Sequence, residues 1–300
     1  MKNGIISYGE AFIDYIANDP SNSNFQTYLG GTTVNVAVGV RRLGTPAYYL
    51  CKIGTDDDSQ FITTKLNPEQ VSQEFCVVNN HKSICKVYTH LNENRERYFH
   101  AYIDDTPDEQ LLETELHEEL FNKAMIFYCG SGTLFHPTAK NTTKAAIKMA
   151  KKHGTLVAFD PNIRLKRWQN EQECRGTINS ILSNVDILKI AKDELLFLME
   201  TSTLEEGINK LADYQIPYVW ITLGEKGALV IHQDKKIHVA SEKVQAIDTT
   251  GAGDAFMAGI LYCFHEYGTP TNQAKLTTYT KFANKLGAKV TTRFGALTAQ

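Results

Sequence analysis

The residues of this chain best suited to chemistry form a glycine-rich loop at 248–261 that ends in a carboxylate and runs into an apolar helix pattern. A helix start presents backbone N–H groups that no intrahelical carbonyl satisfies, and Gly251, Ala252 and Gly253 leave such amides uncovered. A phosphate can therefore approach closely. Asp254 follows and is a candidate to take the proton of a hydroxyl that attacks that phosphate. A bare Gly-x-Gly-Asp is also typical of an ordinary strand-to-helix turn, so other residues must decide.

A second glycine pair lies near the start of the chain, where Gly30 and Gly31 precede Asn35 and a run of apolar residues at helical spacing. Two adjacent glycines permit close approach of a ligand. Asn35 offers both an amide donor and an acceptor, which suits a polyhydroxylated ligand. Asparagine at a helix start is equally typical of a helix cap, so this segment alone leaves both interpretations open.

The order and spacing of these two segments resemble the two signatures of the ribokinase-like carbohydrate kinases, the family that includes the type B phosphofructokinases. Further segments resemble this family over nearly the whole chain. They are residues 8–14, residues 159–164 followed by Trp168, residues 187–194, residues 222–227, and residues 282–288 with Gly295 and Ala296 behind them.

The resemblance implies an α/β fold of ribokinase-like type, with a mostly parallel central sheet flanked by helices and a small β-sheet as lid. It implies one kinase domain over residues 1–300, with lid segments at about 12–29 and 83–103. The implied activity is ATP-dependent phosphorylation of a primary hydroxyl of a small sugar, and fructose, giving fructose 6-phosphate, is the expected substrate.

The resemblance also assigns roles residue by residue. Asp254 is the implied base, and Gly251, Ala252 and Gly253 form the anion hole. The implied sugar-binding residues are Asp14, Gly30, Gly31, Asn35, Tyr102, Asn162, Arg164 and Asp254. The implied ATP-binding residues are Lys189, Glu194, Thr222, Gly224, Gly227, Gly253 and Asn284. Magnesium accompanies ATP and is held through water by Glu194, while Asp248 and Thr250 correspond to a monovalent-cation site, so we expect potassium dependence.

The elements that position these residues follow from hydrophobic patterning. Apolar runs at 124–129, 155–160, 186–190 and 217–223 are each followed by a pattern interpreted as helical, which predicts βαβ units and a parallel sheet. Ligands of such folds gather at the carboxyl ends of the strands. Residues 83–103 predict a hairpin turning at 92–94. The aromatic character of the lid segments favours a homodimer formed through the lid.

Substrate identity depends on a few positions. Asp14 followed by Tyr15 resembles the first strand of fructokinases, and Ile103 stands where ketodeoxygluconate kinases carry an arginine for the substrate carboxylate; both favour a neutral ketohexose. Thr32 and Thr33 replace the Ala-Pro pair common in fructokinases, which puts the sugar in doubt.

Three alternatives stay open: a 2-keto-3-deoxygluconate kinase, another sugar or nucleoside kinase that stacks a base on lid tyrosines, and a non-catalytic sugar-binding regulator. Residues 159–164 argue against the nucleoside kinase, and the intact Asp254 loop argues against the regulator. A dinucleotide-dependent dehydrogenase is set aside, because no Gly-x-Gly-x-x-Gly follows the first strand.

Composition sets bounds on these interpretations. The 300 residues are 42% hydrophobic with a formal net charge of −3, which suits a large α/β core and offers no basic track for nucleic acid. No apolar run approaches the roughly 18 residues of a membrane span. The six cysteines include no Cys-x-x-Cys pair, so we expect free thiols and a cytoplasmic protein.

Overall fold

The structure, a computed structural model, describes residues 2–106, 109–233 and 235–297. The strands in these ranges are β1 (Ile5–Tyr8), β2 (Phe12–Ala17), β3 (Phe25–Gly30), β4 (Ala47–Leu50), β5 (Lys52–Ile53), β6 (Val77–Val78), β7 (Lys86–Leu91), β8 (Arg97–Ile103), β9 (Ile126–Gly130), β10 (Leu156–Asp160), β11 (Ile187–Ala191), β12 (Tyr218–Thr222), β13 (Ala228–His232) and β14 (Lys235–Val239). The helices are α1 (Thr32–Arg42), α2 (Asp57–Leu66), α3 (Glu118–Lys123), α4 (Pro137–Lys152), α5 (Glu171–Leu182), α6 (Lys192–Met199), α7 (Leu204–Leu211), α8 (Ala252–Tyr267) and α9 (Gln273–Val290).

The main sheet has eight strands in the spatial order β14, β13, β12, β11, β10, β9, β1 and β4. The six strands from β12 to β4 in this order run parallel, and β13 and β14 add an antiparallel edge. Strands β1, β4 and β9 are buried along their whole length, as is typical of a parallel sheet covered on both faces. Two apolar clusters fill the spaces between the sheet and the helices on its two sides.

Side-chain caps mark where several helices begin. Asp56 accepts a hydrogen bond from the amide of Ser59 at α2, Asn170 caps α5, and Asn272 caps α9. Thr203 and Glu206 form a reciprocal capping box at α7.

No helix within the described ranges is long and apolar enough to cross a membrane. The expected cytoplasmic location stays a prediction.

A separate four-stranded sheet, here called the lid sheet, has the order β3, β2, β7 and β8. Strands β7 and β8 form the predicted hairpin, in which the Asn92 amide donates to the Glu96 carbonyl. A register shift between Tyr88 and Thr89 interrupts their pairing, so the outward and inward faces of β8 change there. The prediction of one domain with lid segments at 12–29 and 83–103 stays a prediction.

Two expectations about elements are wrong. The apolar run at 217–223 forms β12 but is followed by the antiparallel strands β13 and β14, where a helix was predicted. Residues 228–232 and 235–239 form strands because their side chains alternate between more and less buried positions. Asp14 lies on lid strand β2 and is not part of the first strand, which ends at Tyr8.

Candidate active site

A cavity of about 860 Å³ lies between the lid sheet and the carboxyl ends of the main-sheet strands. Most residues predicted to bind sugar or phosphate line this cavity: Asp14, Gly31, Asn35, Tyr102, Asn162, Arg164, Lys189, Asp248, Thr250, Gly251, Gly253 and Asp254. The fold thus brings together residues that are up to 240 positions apart in the sequence. The cavity lies at the strand ends, where ligand sites of α/β sheets are expected.

Other predicted residues do not line this cavity: Gly30, Ala252, Glu194, Thr222, Gly224, Gly227 and Asn284. Gly30 packs directly on the Asp14 carboxyl, where a Cβ would lie only 2.3 Å from Asp14 Oδ2. The side chain of Asn284 is buried and donates to the carbonyls of Val239 and Ala240 at 2.9 and 3.3 Å. That amide therefore ties α9 to the end of β14.

The start of α8 has free backbone donors. Gly251 caps the helix with φ of 79°, a conformation that favours glycine, and a Cβ there would also lie 2.5 Å from that of Ala296. The amide of Ala252, one of the residues predicted to form the anion hole, donates to the Thr249 carbonyl at 3.3 Å. The amides of Gly253 and Asp254 have no acceptor among the described residues. These two remain available to a phosphate.

Asp254 is held in place by Asn35. The Asn35 Nδ2 amide donates to Asp254 Oδ2 at 2.7 Å, joining the first turn of α1 to the first turn of α8. Burial raises the pKa of Asp254, and the bond from Asn35 and the charges of Lys189 and Arg164 oppose that shift. Asn35 Oδ1 is buried and has no hydrogen-bond partner among the described residues, so it can accept from a ligand hydroxyl.

A buried ion pair lies beneath the loop. Lys189 Nζ, from the middle of β11, lies 2.8 Å from Asp160 Oδ2, at the end of β10. Burial alone would lower the pKa of Lys189, but the carboxylates of Asp160, Glu194 and Asp254 together outweigh burial, and the net shift is upward. A Cβ on Gly253 would lie 2.8 Å from the Lys189 ammonium, which places a positive charge directly beside the anion hole.

Asp14 faces the cavity from the lid sheet. Burial raises the pKa of this carboxyl from 3.8 to about 6. Opposite it, the side chain of Asn162, whose backbone adopts φ of 39°, donates to the hydroxyl of Thr32 at the start of α1. Thr32 is one of the two residues that depart from the fructokinase pattern, and it makes a polar contact at the floor of the cavity.

Sequence patterns missed a polar network below the lid. Glu10 lines the cavity, and its Oε1 accepts from Lys82 Nζ at 2.7 Å and from Gln110 Nε2 at 2.9 Å. Lys82 and Gln110 are buried. Both come from irregular segments without a recognisable motif, so only the fold brings them to Glu10.

Arg167 was also missed. Its guanidinium lies 4.4 Å from the ring centre of Tyr102 and 4.3 Å from that of Phe135, and it pairs with Asp105 at 3.0 Å. The side chain is only 7% exposed. It therefore fixes lid strand β8 to the main domain. Its place three residues after Arg164 was the only signal in the sequence.

The use of Ile103 as evidence for a neutral sugar is wrong. Ile103 pairs with Lys86, does not line the cavity and is 42% exposed, whereas its neighbour Tyr102 does line the cavity. Successive residues of a strand point to opposite faces, so an arginine at position 103 would point away from a bound sugar. Four arginines among the described residues do line the cavity, namely Arg42, Arg97, Arg164 and Arg167.

The model of the family described as pfkB family carbohydrate kinase matches residues 2–300. The chain belongs to this family. As a pfkB-family member it is an ATP-dependent sugar kinase, as the Asp254 loop and the second glycine segment predicted.

Relatives of this pfkB-family kinase carry fructokinase names. Fructokinase-2 of Oryza sativa subsp. japonica is 32% identical, with 99% of this chain and 90% of the relative covered. The fructokinase of Vibrio cholerae O395, solved in its fructose, ADP and calcium ion bound form, is 32% identical with a TM-score of 0.86, covering 99% of this chain and 95% of that one.

A related structure has a different substrate. The aminoimidazole riboside kinase of Salmonella enterica, solved with aminoimidazole riboside and an ATP analog, is 25% identical with a TM-score of 0.85, covering 99% of this chain and 96% of that one. The ribokinase-like fold of the pfkB-family kinase is thus shared with kinases of a ketohexose and of a riboside. The fold alone does not select between these acceptors.

Proposed function

We propose that this kinase transfers the γ-phosphoryl group of ATP to the primary hydroxyl of fructose, giving fructose 6-phosphate. One observation carries the proposal: a single cavity joins Asp254 and the acceptor-free amides of Gly253 and Asp254 to the Asp14 carboxyl of the lid sheet. Relatives named fructokinase at about the same identity over the whole chain support the choice of fructose.

In the proposed mechanism the sugar lies between the lid sheet and α1. Asp14 accepts hydroxyl hydrogen bonds from above, and Gly31, Asn35, Asn162 and Arg164 contact the sugar from the main domain, with Tyr102 closing the lid side. Closure of the lid sheet excludes water, which suppresses transfer of the phosphoryl group to water.

Asp254 accepts the proton of the primary hydroxyl as its oxygen attacks the γ-phosphorus in line. Asn35 holds Asp254 Oδ2, so the other carboxylate oxygen, Oδ1, faces the acceptor. Charge on the transferred group is stabilised by the amides of Gly253 and Asp254 and by the Lys189 ammonium beside Gly253. The loose transition state makes a strong base unnecessary.

The remaining ATP assignments are proposals. Thr222, Gly224 and Gly227 bound a turn between β12 and β13, and Asn284 lies on α9 nearby, so the nucleotide base would lie outside the sugar cavity. Magnesium bound to ATP neutralises the charge of the phosphates. The described residues contain no cluster of three metal-ligating side chains, which suits a metal that binds with its nucleotide.

Glu194 fits an indirect role. Its two oxygens accept from the amides of Ala191 and Ile163 at 2.9 and 2.7 Å. These bonds fix the carboxylate at the start of α6 and leave contact with magnesium to a bridging water.

Asp248 and Thr250 suit a monovalent cation. Asp248 accepts from the amides of Thr250 and Gly295, which brings two loops together around its carboxylate beside the anion hole. We expect potassium to raise the melting temperature as well as turnover, and tetramethylammonium at equal ionic strength to do neither. Equal values in both salts would remove this site from the mechanism.

The test compares ADP release with fructose, 2-keto-3-deoxygluconate, ribose, adenosine and no acceptor, in magnesium and potassium, for the natural chain and for Asp254→Asn. We expect stimulation by fructose and a loss of kcat of at least about 100-fold in the variant. The variant should keep its melting temperature, because burial already disfavours the Asp254 charge.

Two other acceptors have specific support. Arginines lining the cavity could hold the carboxylate of 2-keto-3-deoxygluconate, and the riboside kinase neighbour supports a riboside acceptor. Stimulation by either one in place of fructose would keep the mechanism and change the substrate. Sugar binding without any turnover would instead indicate a regulator.

A further inference from the structure

Two free cysteines lie side by side behind the sugar cavity. The Sγ atoms of Cys51 and Cys76 are 3.6 Å apart, although 25 residues separate them in the chain. Cys51 is buried, whereas Cys76 is half-buried and its thiol donates to the Tyr49 carbonyl at 3.3 Å.

The backbone already holds these residues at a distance suited to a covalent link. Cys51 directly precedes β5 and Cys76 directly precedes β6, and these two strands pair in parallel with Lys52 opposite Val77. The Val77 amide donates to the Cys51 carbonyl at 2.9 Å. Paired strands lie about 4.8 Å apart, within the Cα separation of about 4.4–6.8 Å that disulfides span. Side-chain rotation with a small backbone adjustment is sufficient to bond the two sulfurs.

We propose that Cys51 and Cys76 form a reversible disulfide, and that this modification alters the sugar cavity. The connection to the cavity is short. The Tyr49 hydroxyl donates to the Gly9 carbonyl at 2.9 Å, and the Gly9 amide donates to the Leu50 carbonyl at 3.2 Å. Gly9 and its neighbour Glu10 line the cavity.

The chemistry requires a small-molecule disulfide as the oxidant. The more accessible Cys76 attacks one sulfur of this oxidant as its thiolate, forms a mixed disulfide and releases one small thiol. Cys51 then gives its proton to solvent, attacks the Cys76 sulfur and expels the second small thiol. The protein pair loses two electrons and two hydrogens, and the small disulfide gains them.

The two thiols have different roles in this sequence. The hydrogen bond with Cys76, followed by burial, raises the pKa of Cys51 well above its ordinary value. Cys51 is therefore a poor first nucleophile, and its burial shields it from bulky reagents. It is well placed for the second, intramolecular attack.

Oxidation should affect the sugar site for two reasons. It removes the thiol donor of the Tyr49 carbonyl, and it draws β6 toward the end of β4. The segment after β6 carries Lys82, the partner of Glu10, and leads into lid strand β7. We expect kcat/KM for the acceptor sugar to fall by about two- to tenfold, the range for loss of one hydrogen bond.

The experiment treats the full-length chain, reduced with dithiothreitol and then desalted, with oxidised glutathione near pH 8 under native conditions. Remaining thiols are alkylated, and intact mass and peptide mapping are recorded. We expect loss of two hydrogens, two fewer alkylated thiols and a Cys51–Cys76 linked peptide. Dithiothreitol should restore the thiols and the lost activity, measured with whichever acceptor sustains ADP release.

Variants separate the pair from the other cysteines. Cys76→Ser keeps a donor for the Tyr49 carbonyl and should abolish the link while retaining reduced-state activity, and Cys51→Ala should stop at a glutathione adduct on Cys76. Cys174→Ala, a buried position on α5, is the matched control and should still form the link. A natural chain that stops at the adduct, or that links other cysteines, would overturn the proposal. Because the link is scored by mass, this outcome is independent of the fructose assignment.

Discussion

Asp14 is the residue whose ionisation should control sugar binding. Burial raises its pKa to about 6, so below that pH the carboxyl is protonated and loses one acceptor position for sugar hydroxyls. We expect the dissociation constant for fructose, measured without ATP, to rise as the pH falls from 7 to 5. Without ATP no proton is transferred, so Asp254 does not contribute a catalytic effect.

Asp14→Asn is the control for this titration. It should bind fructose weakly at every pH and show no inflection near 6. The variant should also be more stable at pH 8, because the ionised carboxyl is disfavoured in the folded state by at most about 3 kcal/mol. The stabilising effect of protonation is present at acid pH and disappears as the pH rises through 6. A natural chain with pH-independent fructose affinity would contradict the role of Asp14.

The sequence predicted most of the residues that line the cavity of the candidate site, but it did not predict the residues that surround them. Asp254, Asn35 and Asp14 belong to short local motifs, and the spacing of such motifs can be read from the sequence alone. Arg167 and Lys82 act through partners that are far away in the chain, and no sequence pattern predicts such contacts. Ile103 was misjudged because a register shift in β8 sets which side chains face the cavity, and strand register depends on the partner strand.

The loop before α8 depends on backbone conformation. Gly251→Ala would place a methyl group against Ala296 at a φ that non-glycine residues rarely adopt. We expect at least about a 100-fold loss of kcat, because the free amides would be displaced, and a displacement of about 1 Å in a catalytic group can cost about 100-fold in rate. Gly132→Ala is the matched control: it also lines the cavity, but a Cβ there has no neighbour within 4 Å. Equal activity of the two variants would refute a strict requirement for this helix start.

The attachment of β8 to the main domain depends on Arg167. Arg167→Met should lower stability by about 1–3 kcal/mol, since it removes the guanidinium partner of the partly exposed Asp105 carboxylate, which keeps His136 at 3.6 Å. It should also raise the KM for sugar with little change in kcat, because the lid loses its anchor while Asp254 is untouched. Arg164→Met is the comparison: this exposed side chain should affect KM without a change in melting temperature. Similar thermal stability of the two variants would argue against an anchoring role.

The lid sheet itself followed from the sequence, because its β-type runs lack crossover helices. The hairpin of β13 and β14 did not, because a short apolar run after a strand fits a helix or a second strand until its partner is known. Antiparallel pairing of β13 with β12 decides the outcome, and this is a tertiary choice.

The outer face of the lid sheet favours self-association of the whole molecule. Tyr15 and Tyr88 stack at 4.8 Å, His90 and His100 stack at 3.8 Å, and Tyr98 is 46% exposed beside them. Exposed aromatic clusters of this kind mark protein interfaces. We propose a homodimer through this face and expect sedimentation to show a species of twice the 33.6 kDa chain mass at micromolar concentration.

Tyr98→Glu should shift that equilibrium to the monomer, because it places a charge within the aromatic cluster. Tyr267→Glu changes a tyrosine outside the lid that is 55% exposed, and it should leave the dimer intact. A natural chain that sediments only as a monomer at micromolar concentration would exclude the lid dimer.

The packing of α1 on α8 has a consequence for synthesis of the chain. Residues 33–40 of α1 are all buried, and α8, a main partner, begins about 210 residues after α1 ends. At usual elongation rates of about 5–20 residues per second, the ribosome needs roughly 10–40 s to deliver that partner. During this interval the apolar face of α1 that packs on α8 is exposed outside the ribosome. The helix that presents Asn35 to Asp254 is therefore a segment that a chaperone would protect in the nascent chain.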